Sequence, residues 1–298
     1  MSTRVVRAPR HEGPLPPGAG TVVFGRSAPP PAPPSARAAW AVLHRPLRSA
    51  CLEEPRAGLM IAIVHPETGA TGRMWLAATD EARAATLGRH DQVDLPLAPD
   101  ASLSLRHELF VVRLVRGQVR FLVLDLASST GTQTLVGAVS LVDEDRPVLL
   151  RTAGVWVFCV PTGASAPLLS SELDEAWQQL SRPARPRTPG LGFDFTPRTR
   201  GALSVTFHNR ALQLPLDRGA LDRGVLLGRD RRCDVFLDDS FTSRVHAVIV
   251  NVDGVPHLVD AGSTNGVVDA SGRRVWCQPL RDGQRFTLGN AKLTWREG

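Results

Sequence analysis

The chain has 298 residues, 43% of them apolar, which is long enough for two domains with buried cores. Its four cysteines, at 51, 159, 233 and 277, share no short spacing, so no CxxC or Cys/His cluster exists and neither a metal nor a cofactor is expected. The net charge of +6 is unevenly placed: residues 1–58 hold eight Arg against three Glu, whereas the rest carries 27 basic and 26 acidic groups.

In chain order, residues 1–58 form a Pro- and Arg-rich N-terminal segment. Positions 1–36 lack periodicity and are expected to be disordered, with Val22-Val23-Phe24 as one apolar island. Residues 37–55 predict a short helix broken near Pro46. The first residues have no apolar signal core, and no window of about 18 apolar residues exists, so no secretion signal and no membrane insertion are expected. With free thiols, this predicts a cytoplasmic protein. Lys292 is the one Lys, which fits a GC-rich bacterial genome. The basic tail reads as a solubilising arm. Nucleic acid is not expected as a partner, because no helix-turn-helix or RNA-binding signature accompanies the charge.

Residues 59–162 read as short strands and turns: LMIAIV, RMWLA, HELFVVRLV, VRFLVLDL and PVLLRTAGVWVFCV, with Arg116-Gly117 as a hairpin signal. Residues 163–202 interrupt this texture. A helix with a Ser N-cap is predicted from Ser170-Ser171 through Leu180, followed by Pro/Arg-rich linker. From 203 to 298 the strand pattern returns, with turns at Asp253-Gly254, Ser271-Gly272, Asp282-Gly283 and Gly289-Asn290. The predicted fold class is all-β, as sandwich or barrel.

The two β blocks repeat one pattern. Gly88-Arg89 matches Gly228-Arg229, and Ser104-Leu-Arg-His107 matches Ser243-Arg-Val-His246. Asp125-Leu-Ala-Ser-Ser-Thr-Gly131 matches Asp260-Ala-Gly-Ser-Thr-Asn-Gly266. Arg, Ser and Thr/Asn gathered on loops between strands suit an anion, a phosphate above all. Taken singly, Arg229 could pair with Asp230 or Asp234, Ser243 could be a turn residue, and Asp260 could be a loop brace.

The pattern Gly-Arg, Ser-x-x-His, then Asn-Gly resembles the forkhead-associated (FHA) domain, a β-sandwich whose edge loops bind phosphothreonine peptides. The resemblance covers both blocks. It implies two FHA-like sandwiches, the second intact and the first degenerate. It assigns phosphate contact to Arg229 and Ser243, with Arg244 as a second cation and Thr264 at the phosphate or adjacent backbone. Asn265 would hold the peptide main chain. Gly228, His246 and Gly266 would support the loops. In the first block Arg89, Ser104 and His107 persist, Arg106 stands next to the missing cation, and Ser129-Thr130 replaces Thr-Asn.

The function expected is a phosphothreonine-dependent adaptor in Ser/Thr kinase signalling, its partners being a kinase and the protein that kinase phosphorylates. The alternative is a phosphate-independent scaffold component of a bacterial assembly such as a secretion machine. No P-loop, GxSxG, HExxH or kinase signature occurs, so no enzyme is expected. Asp238-Asp239, just before Ser243, reads as a solvated acidic loop, with selection of basic residues near the phosphate as the alternative. Thr188 and Thr196 in the linker and Thr3 and Thr21 in the tail are candidate phosphorylation sites that would fill the Arg229 site from within the chain.

Overall fold

The structure, a computed structural model, describes residues 35–66, 69–97, 102–184, 199–208 and 210–298. Most of the expected tail, with Thr3, Thr21 and the Val22–Phe24 island, lies outside the described residues, as do Thr188 and Thr196 of the linker. The chain divides into two compact units, Met1–Arg185 and Pro186–Gly298.

The first unit opens with helix α1 (Ala36–Glu53). Then come β1 (Gly58–Val64), β2 (Thr71–Ala77), β3 (Arg83–Gly88), β4 (Leu95–Pro96), β5 (Glu108–Val115) and β6 (Gln118–Asp125). The strands β7 (Thr132–Thr134), β8 (Gly137–Val139), β9 (Leu141–Glu144), β10 (Val148–Thr152) and β11 (Val155–Thr162) follow, and helix α2 (Leu173–Leu180) closes the unit. The second unit runs β12 (Thr199–Phe207), β13 (Arg210–Asp217), α3 (Arg218–Arg223), β14 (Val225–Gly228), β15 (Val235–Phe236) and β16 (Ala247–Val252). It ends with β17 (Val255–Asp260), β18 (Val267–Asp269), β19 (Arg274–Val275), β20 (Cys277–Pro279), β21 (Arg285–Leu288) and β22 (Ala291–Glu297).

Each unit is a β-sandwich. The first pairs a sheet of order β2-β1-β11-β10-β7-β8 with one of order β4-β3-β5-β6-β9. The second has β13-β12-β22-β21-β18-β19 and β15-β14-β16-β17-β20. The two orders are identical strand for strand, so the sequence repeat is a repeat of topology.

Local chemistry explains how the copies keep one frame at different lengths. Arg116-Gly117 and Asp253-Gly254 have φ of 51° and 78°, and 54° and 84°, the left-handed pair that a two-residue hairpin needs. The β5–β6 strands have eight residues each and the β16–β17 strands six each. The four extra residues between His107 and Asp125 therefore lengthen the ladder away from the motif ends.

The sandwich interiors are apolar. Ile61, Phe110, Phe121, Leu150 and Val157 fill the first, and Leu227, Ile249, Leu288 and Trp295 the second. The first unit adds a further layer. Every residue of β1 is buried, because its second face, Met60, Ala62 and Val64, lies under Trp40, Leu43 and Leu47 of α1. A strand covered on both sides has no polar side, which is why LMIAIV does not alternate. Its counterpart β12 has no such cover among the described residues: Ala202, Ser204 and Thr206 are half-buried or exposed, and LSVTF alternates.

Two expectations for the helices are corrected. Helix α1 is not broken at Pro46 but runs unbroken from 36 to 53. Pro46 is exposed, while the buried positions Ala39, Trp40, Leu43, Leu47, Ala50 and Cys51 form one stripe on both sides of it. Burying large apolar side chains contributes about 1.5–3 kcal/mol each, which together outweighs a proline cost of about 3 kcal/mol. Helix α2 has Glu172, not a serine, as its N-cap. Ser170 stands two residues earlier, accepting from the Glu172 amide at 3.1 Å and donating to Glu175 at 2.8 Å. Both helices belong to the first unit. The Trp40 indole donates to the Leu173 carbonyl, His44 contacts the Ser170 carbonyl at 2.8 Å, and Arg48 donates to Leu169. Among the described residues no helix is long and apolar enough to cross a membrane.

Because Pro46 lies on the solvent face, Pro46→Ala restores one helical N–H without disturbing packing. It should stabilise the first unit by about 1–3 kcal/mol, read as a higher urea midpoint of that unit's unfolding transition; an unchanged or lower midpoint would contradict the description of α1.

Candidate functional site

The candidate site of the second unit lies on the loops β14–β15, β15–β16 and β17–β18. Gly228 ends β14 where that strand meets the backbone of the β15–β16 loop. A Cβ there would fall 2.0 Å from the Arg244 carbonyl oxygen, so only glycine fits. This close approach lets the Arg229 amide donate to the Ser243 carbonyl and the Asp230 amide to the Arg244 carbonyl, each at 3.0 Å. The Arg229 side chain then projects from the rim and is exposed.

The acids beside Arg229 in sequence are already engaged. Asp230 takes a bidentate bond from Arg232, at 3.1 and 2.9 Å, and the Arg232 guanidinium and amide pull its carboxyl down to about 2. Asp234 accepts the Leu226 amide at 2.8 Å. Among the described residues no carboxylate pairs with Arg229 or with the exposed Arg244. The reading of Arg229 as half of a surface ion pair with Asp230 or Asp234 is therefore set aside.

Ser243 and Thr264 meet across two loops. The Ser243 hydroxyl accepts the Thr264 amide at 3.1 Å and lies 3.5 Å from the Thr264 hydroxyl. Behind them His246, fully buried, accepts the Ser243 amide on Nδ1 at 3.1 Å and reaches the Gly266 carbonyl through Nε2 at 3.0 Å. An imidazole accepting on Nδ1 and donating from Nε2 is neutral. Asn265 is exposed. Its Nδ2 donates to the Phe241 carbonyl at 2.7 Å, which spends one amide hydrogen and leaves the other and Oδ1 outward.

Two braces hold these loops. Asp260 is buried and accepts from the Ser263 amide (2.6 Å), the Ser263 hydroxyl (3.1 Å) and the Val267 amide (3.1 Å). Arg274, which sequence reasoning missed, lies over Trp276, donates to the Ser263 carbonyl at 3.0 Å and sits 3.6 Å from Asp260. Gly266 has φ of 79°, and its missing Cβ leaves the room that the Arg274 guanidinium occupies. Nothing in the sequence separates Arg274 from its neighbour Arg273; only the β18–β19 hairpin, which folds Arg274 back beneath the loop, does so. The second brace is Asp239. It is buried, whereas Asp238 is exposed, so the pair is not the solvated acidic loop the sequence indicates. Asp239 accepts from the Phe241 amide, the Thr242 hydroxyl, and the Asn290 amide and side chain.

The first unit repeats the histidine tie and the hydroxyl-to-amide bond, though not the Arg274 brace. Ser104 N–H meets His107 Nδ1 at 3.2 Å, His107 Nε2 meets the Gly131 carbonyl at 3.3 Å, and the Ser129 amide meets the Ser104 hydroxyl at 3.0 Å. Thr130 even bonds the carbonyl equivalent to Phe241, that of Ser102, at 3.4 Å. The rim differs. A Thr hydroxyl has one proton, and Thr130 directs it at the loop. Arg89 is exposed, but Arg106 occupies the place of buried Val245; it is half-buried, with Nη2 shut off from water.

The Asp239 environment predicts an acid response. Burial pushes its carboxyl up, but the four hydrogen bonds outweigh this and hold it below its ordinary value of 3.8. A depressed carboxylate stabilises the fold above its unfolded pKa and loses that contribution as pH falls through the folded value. Urea unfolding between pH 6 and 3 should show the second unit weakening below about pH 4, with a shallower acid slope in Asp239→Ala; equal slopes would contradict this role.

Residues 225–289 match the FHA domain family. No curated protein matches the chain. Among solved structures, the chain is similar to the FHA domain of the CT664 protein from Chlamydia trachomatis, with 28% identity, 33% of this chain and 98% of that one covered, and a TM-score of 0.30. It is also similar to FHA-1 of Mycobacterium tuberculosis Rv1747, with 25% identity, 33% and 99% covered, and a TM-score of 0.27. A third is an FHA domain described in a structural and functional analysis of phosphothreonine-dependent interactions, with 25% identity, 33% and 97% covered, and a TM-score of 0.27.

Proposed function

We propose that the FHA domain at residues 225–289 serves this chain as a reader of phosphothreonine, making the protein an adaptor that recruits a partner phosphorylated by a Ser/Thr kinase. The observation that carries this reading is the placement of two exposed cations that form no ion pair among the described residues, Arg229 and Arg244, beside the Ser243 hydroxyl on a braced loop. A phosphothreonine brings a charge of about −1.5 to −2 and three acceptor oxygens, which need cations and neutral donors together. Arg229 and Arg244 supply charge, and Ser243 and Thr264 supply hydroxyls. The 3.5 Å Ser243–Thr264 contact is long, so a phosphate oxygen competes with it at little cost. Asn265 keeps one hydrogen and Oδ1 for the main chain of an extended peptide. Gly228, His246 and Gly266 hold the loops and do not touch the ligand.

The two sandwiches, taken as domains 59–162 and 203–298, then divide the work. The first offers Arg89, Ser104 and Ser129 to a phosphate, but Thr130 has no spare donor and Arg106 is turned inward. It is the weaker phosphate site and the better fit to a phosphate-independent scaffold role. The output is recruitment, with no chemistry performed by the chain itself.

Each charge-assisted bond is worth about 1.5–3 kcal/mol, so Arg229→Ala should weaken phosphothreonine-peptide binding about tenfold to a hundredfold in calorimetric titration of the full chain. Asn265→Ala should weaken the peptide but leave affinity for inorganic phosphate unchanged. Equal affinity of wild type and Arg229→Ala for the phosphorylated peptide would sink the proposal.

A further inference from the structure

The first sandwich contains a buried polar cluster that the second lacks. Glu108 directly follows His107 at the start of β5 and is fully buried. Its side chain crosses the interior to the facing sheet, where Oε1 accepts the hydroxyl of Thr132 on β7 at 2.7 Å and that of Thr152 on β10. The Thr132 oxygen also lies 3.1 Å from Oδ2 of Asp125, at the end of β6. Glu108 Oε2 has no hydrogen-bond partner among the described residues. In the second sandwich the same three places hold Ala247, Val267 and Leu288, all fully buried and apolar. The fold therefore does not need the cluster.

Asp125 turns the loop that carries Ser129 and Thr130, accepting the Ser128 amide at 2.8 Å and the Ser128 hydroxyl at 2.7 Å. Thr132 has one hydroxyl proton and two carboxyl neighbours. When Glu108 is neutral, its O–H donates to the Thr132 oxygen, and Thr132 donates onward to Asp125. When Glu108 is ionised, Thr132 must donate to it instead, and Asp125 loses that donor while facing a second negative charge. The other titratable groups around Glu108 are Cys159 on β11, and His107, whose Nε2 lies 3.8 Å from Asp125 and contacts Gly131.

We propose that Glu108 is a proton-operated control on the first sandwich, in which Thr132 relays its protonation state to Asp125 and so to the Ser128–Gly131 loop. Burial is the main force on the Glu108 carboxyl; against the lowering effect of Thr152 and Thr132, and with Asp125 adding to it, burial pushes the group from 4.5 up to about 7. The sign follows from linkage. Between these values the folded state holds a proton that the unfolded chain has lost, so stability of the first unit falls as pH rises from about 4.5 to about 7 and levels off above. The loop is held most firmly on the acid side of neutrality.

The test is an NMR titration of the full chain from about pH 5 to 8.5, following the amides of Ser128, Ser129 and Gly131 and, as an internal reference, those of Ser263, Thr264 and Gly266. The first set should shift together with a midpoint near 7 and the second should not. Glu108→Gln, a neutral isostere, should abolish the midpoint. Thr132→Val, which copies Val267 of the second unit, should remove it from the loop amides and guards against a Glu108 variant that does not fold. First-loop amides that titrate no more than the second set, or a midpoint that survives Thr132→Val or Glu108→Gln, would overturn the proposal.

Discussion

A buried neutral imidazole ties together the two loops on which each rim depends. His246 takes a backbone N–H from one loop with Nδ1 and gives Nε2–H to a backbone carbonyl of the other. His107 does the same in the first unit. Each bond satisfies a backbone group that would otherwise be left unpaired and buried, at about 1–3 kcal/mol apiece. The loops joined are 20 residues apart in the second unit and 24 in the first. With the backbone fixed from behind, the outward side chains are free to change without changing the frame.

The two units use that freedom differently. The second places its specialised chemistry at the rim: exposed Arg229 and Arg244, Asn265 with one N–H and its Oδ1 to spare, and Arg274 supporting the loop from below. In the first, Leu105 and Thr130 occupy two of those rim positions, and Ala138 takes the strand register position of Arg274. Its specialised chemistry is inside instead, in the Glu108–Thr132–Thr152 cluster, and on its outer face, where α1 covers the sheet. One topology thus carries a cation-rich rim over an apolar interior and a cation-poor rim over an ionisable one.

The parts legible in the sequence are those fixed by local rules. Hairpin turns announce themselves because Gly and Asp supply left-handed backbone, and strands with one exposed face announce themselves by alternation. The repeat was legible because Gly88 and Gly228 are each confined by a carbonyl that no Cβ can approach. Features set by contacts distant in sequence were not legible. The continuity of α1 through Pro46 depends on a sheet face built by β1, β2 and β11. Asp239 looks like a solvated loop acid until Asn290, 51 residues away, is seen to bind it. Arg274 and Glu108 each gain their meaning from a hairpin or facing sheet, and their immediate neighbours carry no sign of it. The candidate site residues stand out as a set because the motif is local, but which acids leave Arg229 without an ion pair is a matter of geometry.

The central claim is that the rim of the second unit is a preformed phosphothreonine cradle. Its most direct test is chemical-shift mapping on the full chain with one threonine peptide in phosphorylated and unphosphorylated forms. The account predicts that only the phosphorylated form moves the amides of Arg229, Ser243, Thr264 and Asn265, with the core strands β16 and β17 undisturbed. Equal responses to both forms, or a response centred away from these residues, would contradict it.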